Sequence, residues 1–168
     1  MNLILKKFIK DPKNIGAVIE SSDASAKKIG KLINNKSTKN IIEIGGGTGK
    51  LSNYILDKNL TIIERDQDFS ELLEKKYTDA KIIKGCGIEF LKKYNEKYGL
   101  LTSIPLIKKE TKIDFIQIIN EHIKNEQIEW FIILGYKYFN SLKDIKFNNH
   151  ERNFVLKNLP PAFIWHYY

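Results

Sequence analysis

The sequence predicts an α/β protein whose mostly parallel sheet is covered by helices on both faces. Two observations predict it: short apolar segments alternate with amphipathic ones through most of the chain, and the last part instead has two apolar segments joined by a proline turn. A chain of 168 residues with 42% hydrophobic content can bury one core. We therefore expect a single domain over residues 1–168, with residues 1–36 as an N-terminal helical segment.

The predicted elements follow the hydrophobic periodicity along the chain. Strands are predicted at residues 40–44, 60–63, 80–83, 99–104 and 130–139, and helices between them at 50–58, 67–77, 88–98 and 112–125. The last two apolar segments, 153–157 and 162–168, predict an antiparallel pair, because no helix separates them. The expected sheet has seven strands, with an antiparallel strand at its C-terminal end.

A glycine-rich segment follows the first predicted strand. It runs from Gly45 to Gly49, directly after Glu43 and before a predicted helix. Glycines let the backbone approach a ligand closely at such a strand-to-helix turn. Glu64 ends the next strand about twenty residues later, the spacing of a carboxylate that accepts both hydroxyls of a ribose. The pattern predicts a cofactor that contains a nucleoside.

The glycine spacing also carries a family resemblance. Gly45, Gly47 and Gly49 alternate singly behind Glu43, which resembles the first motif of class I S-adenosylmethionine (SAM)-dependent methyltransferases, proteins with a Rossmann-like fold. The resemblance implies SAM as the cofactor, with S-adenosylhomocysteine (SAH) as its product. The cofactor-binding residues that it implies are Ser21, Ser22, Glu43, Gly45, Gly46, Gly47, Thr48, Gly49, Glu64, Arg65, Gly85, Cys86, Gly87 and Thr102.

Further segments resemble the bacterial phospholipid N-methyltransferases, which methylate phosphatidylethanolamine toward phosphatidylcholine. These segments are Asp11-Pro12, residues 15–22, Thr102–Pro105 and Asn158–Ala162, followed by Trp165 and a closing tyrosine pair. The resemblance implies that the methyl acceptor is the amine of a phospholipid headgroup. It places Ser103, Ile104, Pro105, Tyr136 and Trp165 in the substrate pocket, with Tyr136 as the candidate catalytic residue.

The N-terminal segment has the pattern of a helix that lies on a membrane surface. Within residues 2–10, apolar Ile4, Leu5 and Phe8 would lie opposite Lys6, Lys7 and Lys10. A net charge of +8 suits an anionic membrane surface as a partner. Packing of this helix on its own domain is an equal alternative.

The expected location follows from what the sequence lacks. It has a single cysteine, and it shows no secretory signal and no apolar segment long enough to span a bilayer. We therefore expect a cytoplasmic protein that associates peripherally with the inner face of the membrane.

Two alternatives remain open at this stage. Cys86 stands where the phospholipid enzymes have an aspartate that faces the adenine, which keeps a catalytically silent lipid-binding homologue in consideration. The rRNA adenine N6-dimethyltransferases share the first motif, but they hold the target base with Asn-Ile/Leu-Pro-Tyr/Phe, and here Ser103 and Leu106 replace the asparagine and the aromatic residue.

Composition and histidine spacing bear on the remaining partners. The chain has only two arginines, Arg65 and Arg152, which disfavours base-specific readout and hence nucleic acid as a partner. The three histidines lack the spacing of metal ligands, so we expect no metal site. The oligomeric state is left open.

Overall fold

The computed structural model describes residues 21–104, 106, 108–136, 142–158 and 160–168. In this part of the chain the elements are α1 (Asp23–Asn34), β1 (Asn40–Ile44), a 3-10 turn (Ser52–Tyr54), β2 (Asn59–Glu64), α2 (Gln67–Lys76), β3 (Lys81–Lys84), α3 (Gly87–Leu91), β4 (Tyr98–Thr102), α4 (Lys109–Lys124), β5 (Ile128–Gly135), β6 (His150–Val155) and β7 (Ala162–Tyr167). The alternation of strands and helices confirms the predicted α/β class.

The seven strands form one sheet in the order β3-β2-β1-β4-β5-β7-β6. The first five pair in parallel, and β7 runs antiparallel to both of its neighbours, β5 and β6. This topology confirms the predicted seven-stranded sheet with its antiparallel C-terminal strand. The strand order reverses between β1 and β4, and in open α/β sheets a ligand crevice forms at the carboxyl ends of the strands at such a point.

Apolar side chains cover both faces of the sheet. On one face Ile42 and Ile44 of β1 pack in a cluster with Phe115 of α4, and on the other Ile41 packs with Ala26 and Ile29 of α1. Burial on both faces explains why the central strands read as nearly continuous apolar runs. The polar residues at the strand ends are thereby positioned by a rigid scaffold.

Two predicted helices are much shorter than the hydrophobic pattern suggested. The helix expected at 50–58 is only the 3-10 turn, because the backbone is already extended at Ile55; Asp57 then adopts a left-handed φ of 53° before β2. The helix expected at 88–98 ends at Leu91, and an exposed polar segment leads to β4 at Tyr98. Apolar spacing alone did not mark where either helix ends.

The predicted membrane-surface helix, residues 2–10 with Ile4, Leu5, Lys6, Lys7, Phe8 and Lys10, lies outside the described residues. Among the helices of the described ranges, none combines the length and apolar character that spanning a bilayer requires.

Candidate active site

The loop between β1 and the 3-10 turn requires glycine at specific positions. Gly47 and Gly49 have φ values of 53° and 77°, in the left-handed region that side chains with a Cβ rarely adopt. The Gly49 amide donates to the Gly46 carbonyl at 2.8 Å, and the Gly45 amide donates to the carbonyl of Ile63 in β2 at 2.8 Å. A Cβ built on Gly47 would meet no atom within 4 Å, so the backbone is open to a ligand at this point.

Glu64 joins this loop to the start of α2. Its side chain is only 8% exposed, Oε2 accepts from the Gly47 amide at 2.9 Å, and Oε1 accepts from the Asp66 amide at 2.9 Å. Asp66 in turn caps α2 by accepting from the amides of Asp68 and Phe69. A carboxylate has about four lone-pair sites, so two remain for further donors. Arg65, the neighbouring predicted residue, is exposed.

Glu43 lies buried beneath the glycine loop. It is 1% exposed, its Oε2 accepts from Ser52 Oγ at 2.6 Å, and its Oε1 has no hydrogen-bond partner. Burial raises the pKa of Glu43 to about 7, with a further rise from the charge of Glu64 that the Ser52 hydrogen bond and Lys76 oppose. A buried carboxylate oxygen without a donor is costly, and a donor from a ligand would satisfy it.

Two residues at the end of α2 hold the glycine loop from the side. Lys76 Nζ donates to the Thr48 carbonyl at 3.1 Å, and the Tyr77 hydroxyl lies 2.5 Å from both the Gly49 carbonyl and Asn53 Oδ1. Burial raises the pKa of Tyr77 to about 12, so its hydroxyl keeps its proton. Sequence reasoning missed Tyr77, because no motif links the end of a helix to a loop 28 residues earlier.

The residues after β4 pack against the same loop. Thr102 Oγ1 donates to the Ile44 carbonyl at 3.1 Å, and Ser103 Oγ donates to the Gly45 carbonyl at 3.1 Å. A Cβ on Gly45 would come within 2.5 Å of Ile104 Cγ2, so the Ile104 side chain lies directly on the loop. Three predicted residues, Thr102, Ser103 and Ile104, are therefore brought to the glycine loop, while Pro105 is outside the described residues.

The end of β3 completes the same edge of the sheet. The Gly85 amide donates to the Glu64 backbone carbonyl at 2.9 Å, and a Cβ on Gly87 would clash with Ile44. The Cys86 side chain is exposed at the start of α3 and makes no capping hydrogen bond there. The segment 85–87, which was predicted to bind the cofactor, thus lies beside Glu64.

Asn158 connects three separate parts of the chain. It is 2% exposed, and its Oδ1 accepts from the Ser22 amide at 2.8 Å and from Ser25 Oγ at 3.0 Å. Its Nδ2 donates to the Pro160 carbonyl at 2.9 Å. Ser22 also caps α1, and Ser21 precedes it half-buried. Asn158 therefore ties the start of α1 to the β6–β7 turn, a role that the sequence did not reveal.

Tyr136 follows β5 and is 37% exposed. Burial raises its pKa, and a hydrogen bond with Asn158 lowers it in part. Because the net pKa shift is upward, the phenol is protonated near neutral pH and does not serve as a strong base. Trp165 lies in β7 opposite Ile133 of β5 and packs at the border of the same core cluster as Ile104.

These residues fit SAM in three respects. The open space at Gly47 admits a ligand, the remaining lone pairs of Glu64 suit ribose hydroxyls, and the unpartnered oxygen of Glu43 suits a cationic donor such as an amino group. Bound there, SAM would supply a methyl group activated on a sulfonium. In the part of the chain that the structure describes, no three acidic, histidine or cysteine side chains cluster as metal ligands do.

Comparison with known proteins bears on the type of methyltransferase. The sequence profile of the ribosomal RNA adenine dimethylase family matches residues 5–160. A relative, ribosomal RNA small subunit methyltransferase A of Hydrogenobaculum sp. (strain Y04AAS1), is 35% identical over 79 residues, which cover 45% of this chain and 31% of the relative. The chain thus matches about a third of the length of this relative.

Solved structures share the fold. A dimethyladenosine transferase from Plasmodium falciparum aligns with a TM-score of 0.62 and 18% identity, covering 84% of this chain and 60% of that one. The N-terminal domain of human METTL16 in complex with SAH aligns with a TM-score of 0.58 and 15% identity, covering 83% and 66%. At such identities the likeness shows the fold, and together with the family match it confirms the SAM cofactor prediction.

The comparisons overturn the predicted phospholipid acceptor, the membrane partner and the argument against nucleic acid. The structure shows why the C-terminal resemblance misled: Asn158 serves buried hydrogen bonds that fix a turn, a structural task unrelated to a lipid. A lysine-rich surface also suits RNA phosphates as well as lipid phosphates. Because the family profile covers residues 5–160, the chain belongs to the ribosomal RNA adenine dimethylase family.

Proposed function

We propose that this chain transfers methyl groups from SAM to the N6 amino group of adenine in RNA, with ribosomal RNA as the substrate class. The observation that carries the proposal is the family match over residues 5–160. The site geometry supports it, because a glycine loop, Glu43 and Glu64 form a donor site at one edge of the sheet. The substrate and the activity of the whole protein are part of this proposal.

The chain's own residues would mainly align the two reactants. Methyl transfer needs an in-line approach of a neutral amine and exclusion of water, which positioning supplies without a metal or a strong base. Glu64 would hold the donor beside the open backbone at Gly47, and Ile104 and Tyr136 would border the space where the target base enters. The protonated Tyr136 hydroxyl can orient an acceptor by hydrogen bonding.

A second function has a specific observation in its favour. Ser103 replaces the asparagine that the adenine dimethyltransferases use to hold the target base, and its hydroxyl donates to the Gly45 carbonyl instead. Leu106 replaces the stacking aromatic residue. This arrangement also suits a family member that binds SAM and RNA without transferring a methyl group.

A labelling experiment tests the proposal. The protein is incubated with SAM labelled on its methyl group and with unmodified small-subunit ribosomal RNA, and the RNA is digested to nucleosides. We expect the label in N6-methylated adenosine, and its loss in Glu64→Ala. Calorimetric binding of SAH and RNA with no label in adenosine would favour the second function. In a parallel reaction with phosphatidylethanolamine vesicles, label in the lipid and none in the RNA would overturn both functions.

A further inference from the structure

The outer edge of the sheet carries a row of rings and one guanidinium that the donor site does not use. The side chains of His150, Arg152 and Phe154 in β6 lie on the same face as those of Phe163, Trp165 and Tyr167 in β7, because each β6 residue pairs directly with one of β7. We call these six residues the edge row. β6 is the last strand of the sheet, so the row lies at its border.

Contacts within the edge row hold its planar groups in place. The Arg152 guanidinium carbon lies 5.5 Å from the Trp165 ring centroid and 5.6 Å from that of Phe163. The Phe154 and Phe163 ring centroids are 5.0 Å apart. Aromatic and cation–π contacts of this kind favour fixed ring positions. The Arg152 guanidinium lies over the Phe163 and Trp165 rings of β7, and Phe154 lies beside Phe163.

The β6 side of the edge row is exposed. Phe154 is 52% exposed, whereas its cross-strand neighbour Phe163 is 9% exposed. Arg152 and His150 are also exposed. An exposed aromatic ring beside a guanidinium is the surface on which unstacked bases pack in single-stranded RNA recognition.

The charge around the edge row suits a polyanion. The chain carries a net charge of +8, and exposed Lys157 follows β6. The acidic residue of β6, Glu151, alternates to the other face of the strand and accepts from the Tyr168 hydroxyl at 2.9 Å. The edge row therefore combines apolar rings with positive charge, which fits bases and phosphates better than an apolar protein surface.

The edge row also begins next to the candidate active site. Gly135 pairs with Phe163, which pairs with Phe154, so these three residues form a line at the carboxyl end of β5, the edge where the glycine loop lies. β6 is three strands away from β4, which corresponds to about 14 Å. At a rise of about 3.4 Å for each stacked nucleotide, and more for an extended one, two to about four nucleotides span that distance.

We propose that the edge row is a stacking surface for single-stranded RNA, on which a base two to four nucleotides from the target adenine packs against Phe154 and Arg152. This inference rests on the proposed RNA substrate.

The test measures binding of a fluorescein-labelled 12-nucleotide single-stranded RNA, with one central adenosine among uridines and cytidines, by fluorescence anisotropy at fixed salt. Phe154→Ala should weaken binding about five- to tenfold, because one stacked base is lost. Phe154→Tyr keeps the ring and should retain affinity, which also shows that the position tolerates substitution. Leu156→Ala is the matched control, since Leu156 is 71% exposed on the same hairpin but has no ring.

A second RNA, trimmed to one nucleotide on each side of the adenosine, tests whether the edge row contacts a base two to four nucleotides from the target adenine. It is too short to reach the edge row, so wild type and Phe154→Ala should bind it equally. A persistent difference on the short RNA would overturn the placement.

The remaining outcomes separate this inference from the proposed function. Equal affinity of wild type and Phe154→Ala for the 12-mer would overturn the edge row and leave the proposed function standing. Equal losses in Phe154→Ala and Leu156→Ala would show general apolar contact and overturn stacking. If the wild-type chain does not bind the 12-mer, the edge row is overturned, and the labelling experiment with ribosomal RNA decides the proposed function separately.

Discussion

The carboxyl edge of the sheet is built differently on its two sides. On the donor side, at β1 and β2, the carboxylates of Glu43 and Glu64 are buried and fixed by hydrogen bonds to Ser52, Gly47 and Asp66. On the acceptor side, at β5, β7 and β6, Tyr136 and Phe154 are at least one-third exposed. In the proposed function, the donor side is a preformed site for a small molecule, and the acceptor side is a surface open to a larger one.

This difference matches the different requirements of a small donor and a macromolecular acceptor. A small donor needs fixed acceptors and close backbone contact, which the glycine loop provides. A macromolecular acceptor needs area, and area can be supplied by many residue types. The donor side therefore indicates the cofactor clearly, whereas the acceptor side indicates the substrate weakly.

The largest expected effect concerns the rigidity of the donor loop. Gly49→Ala would place a Cβ 2.5 Å from the Tyr77 ring at a φ of 77°, so strain and overpacking together should lower the free energy of unfolding by about 2 to 5 kcal/mol. Gly47→Ala is the matched control, because its φ is 53° but a Cβ there meets no atom within 4 Å. It should cost about 1 to 2 kcal/mol. Urea denaturation measures both, and equal losses would show that Tyr77 does not confine the loop.

A second effect of similar size depends on pH. The pKa of Glu43 is raised from 4.5 to about 7 by burial, so the folded state holds a proton that the unfolded state has lost between these values. The contribution of Glu43 to stability is therefore complete below pH 4.5 and falls by about 3 kcal/mol as the pH rises to 7. Glu43→Gln should remove this decrease, so the free energy of unfolding of the variant should increase relative to that of wild type as the pH rises.

Urea denaturation at several pH values between 4 and 8 checks the Glu43 prediction. Ser52→Ala removes the hydrogen bond that lowers the pKa of Glu43, so the loss of stability should still begin near pH 4.5 but continue to a higher pH than in wild type. A constant difference between Glu43→Gln and wild type over this range would mean that Glu43 is not buried as described.

Glu64→Ala addresses donor affinity directly. Removing the carboxylate leaves the Gly47 and Asp66 amides without their acceptor and takes away the lone pairs for the ribose. Losing one or two charge-assisted hydrogen bonds should weaken SAH binding about 10- to 100-fold by calorimetry. Glu74→Ala, on the exposed face of α2, is the control and should bind SAH as wild type does. Wild-type affinity in Glu64→Ala would place the cofactor elsewhere.

The donor side could be predicted from the sequence because its signals are local. A strand followed by glycines, and a carboxylate at the end of the next strand, determine most of its geometry. Tyr77 and Asn158 could not be predicted, since they act on Gly49 and Ser22, which lie 28 and 136 residues away along the chain. Such contacts exist only once the sheet has assembled.

The predicted phospholipid acceptor is wrong because the short segments that resemble the phospholipid enzymes have structural tasks in this fold. Asn158 donates to the Pro160 carbonyl in the turn before β7, and Thr102 and Ser103 donate to the carbonyls at the end of β1 and in the glycine loop. These residues satisfy backbone groups that any substrate would leave unchanged. Resemblance at such positions therefore reports on the fold and not on the molecule that is methylated.

The smallest expected effect decides to which side Ser103 belongs. Its hydroxyl donates to the Gly45 carbonyl at 3.1 Å, so Ser103→Ala should lower the free energy of unfolding by about 1 kcal/mol. Ser37→Ala, an exposed serine after α1, is the control and should leave stability unchanged. If Ser103→Ala kept its stability but lost methyl transfer at saturating SAM, the hydroxyl would face the acceptor. Ser103 would then replace the missing asparagine of the adenine dimethyltransferases, and the border between the two sides would run through the glycine loop.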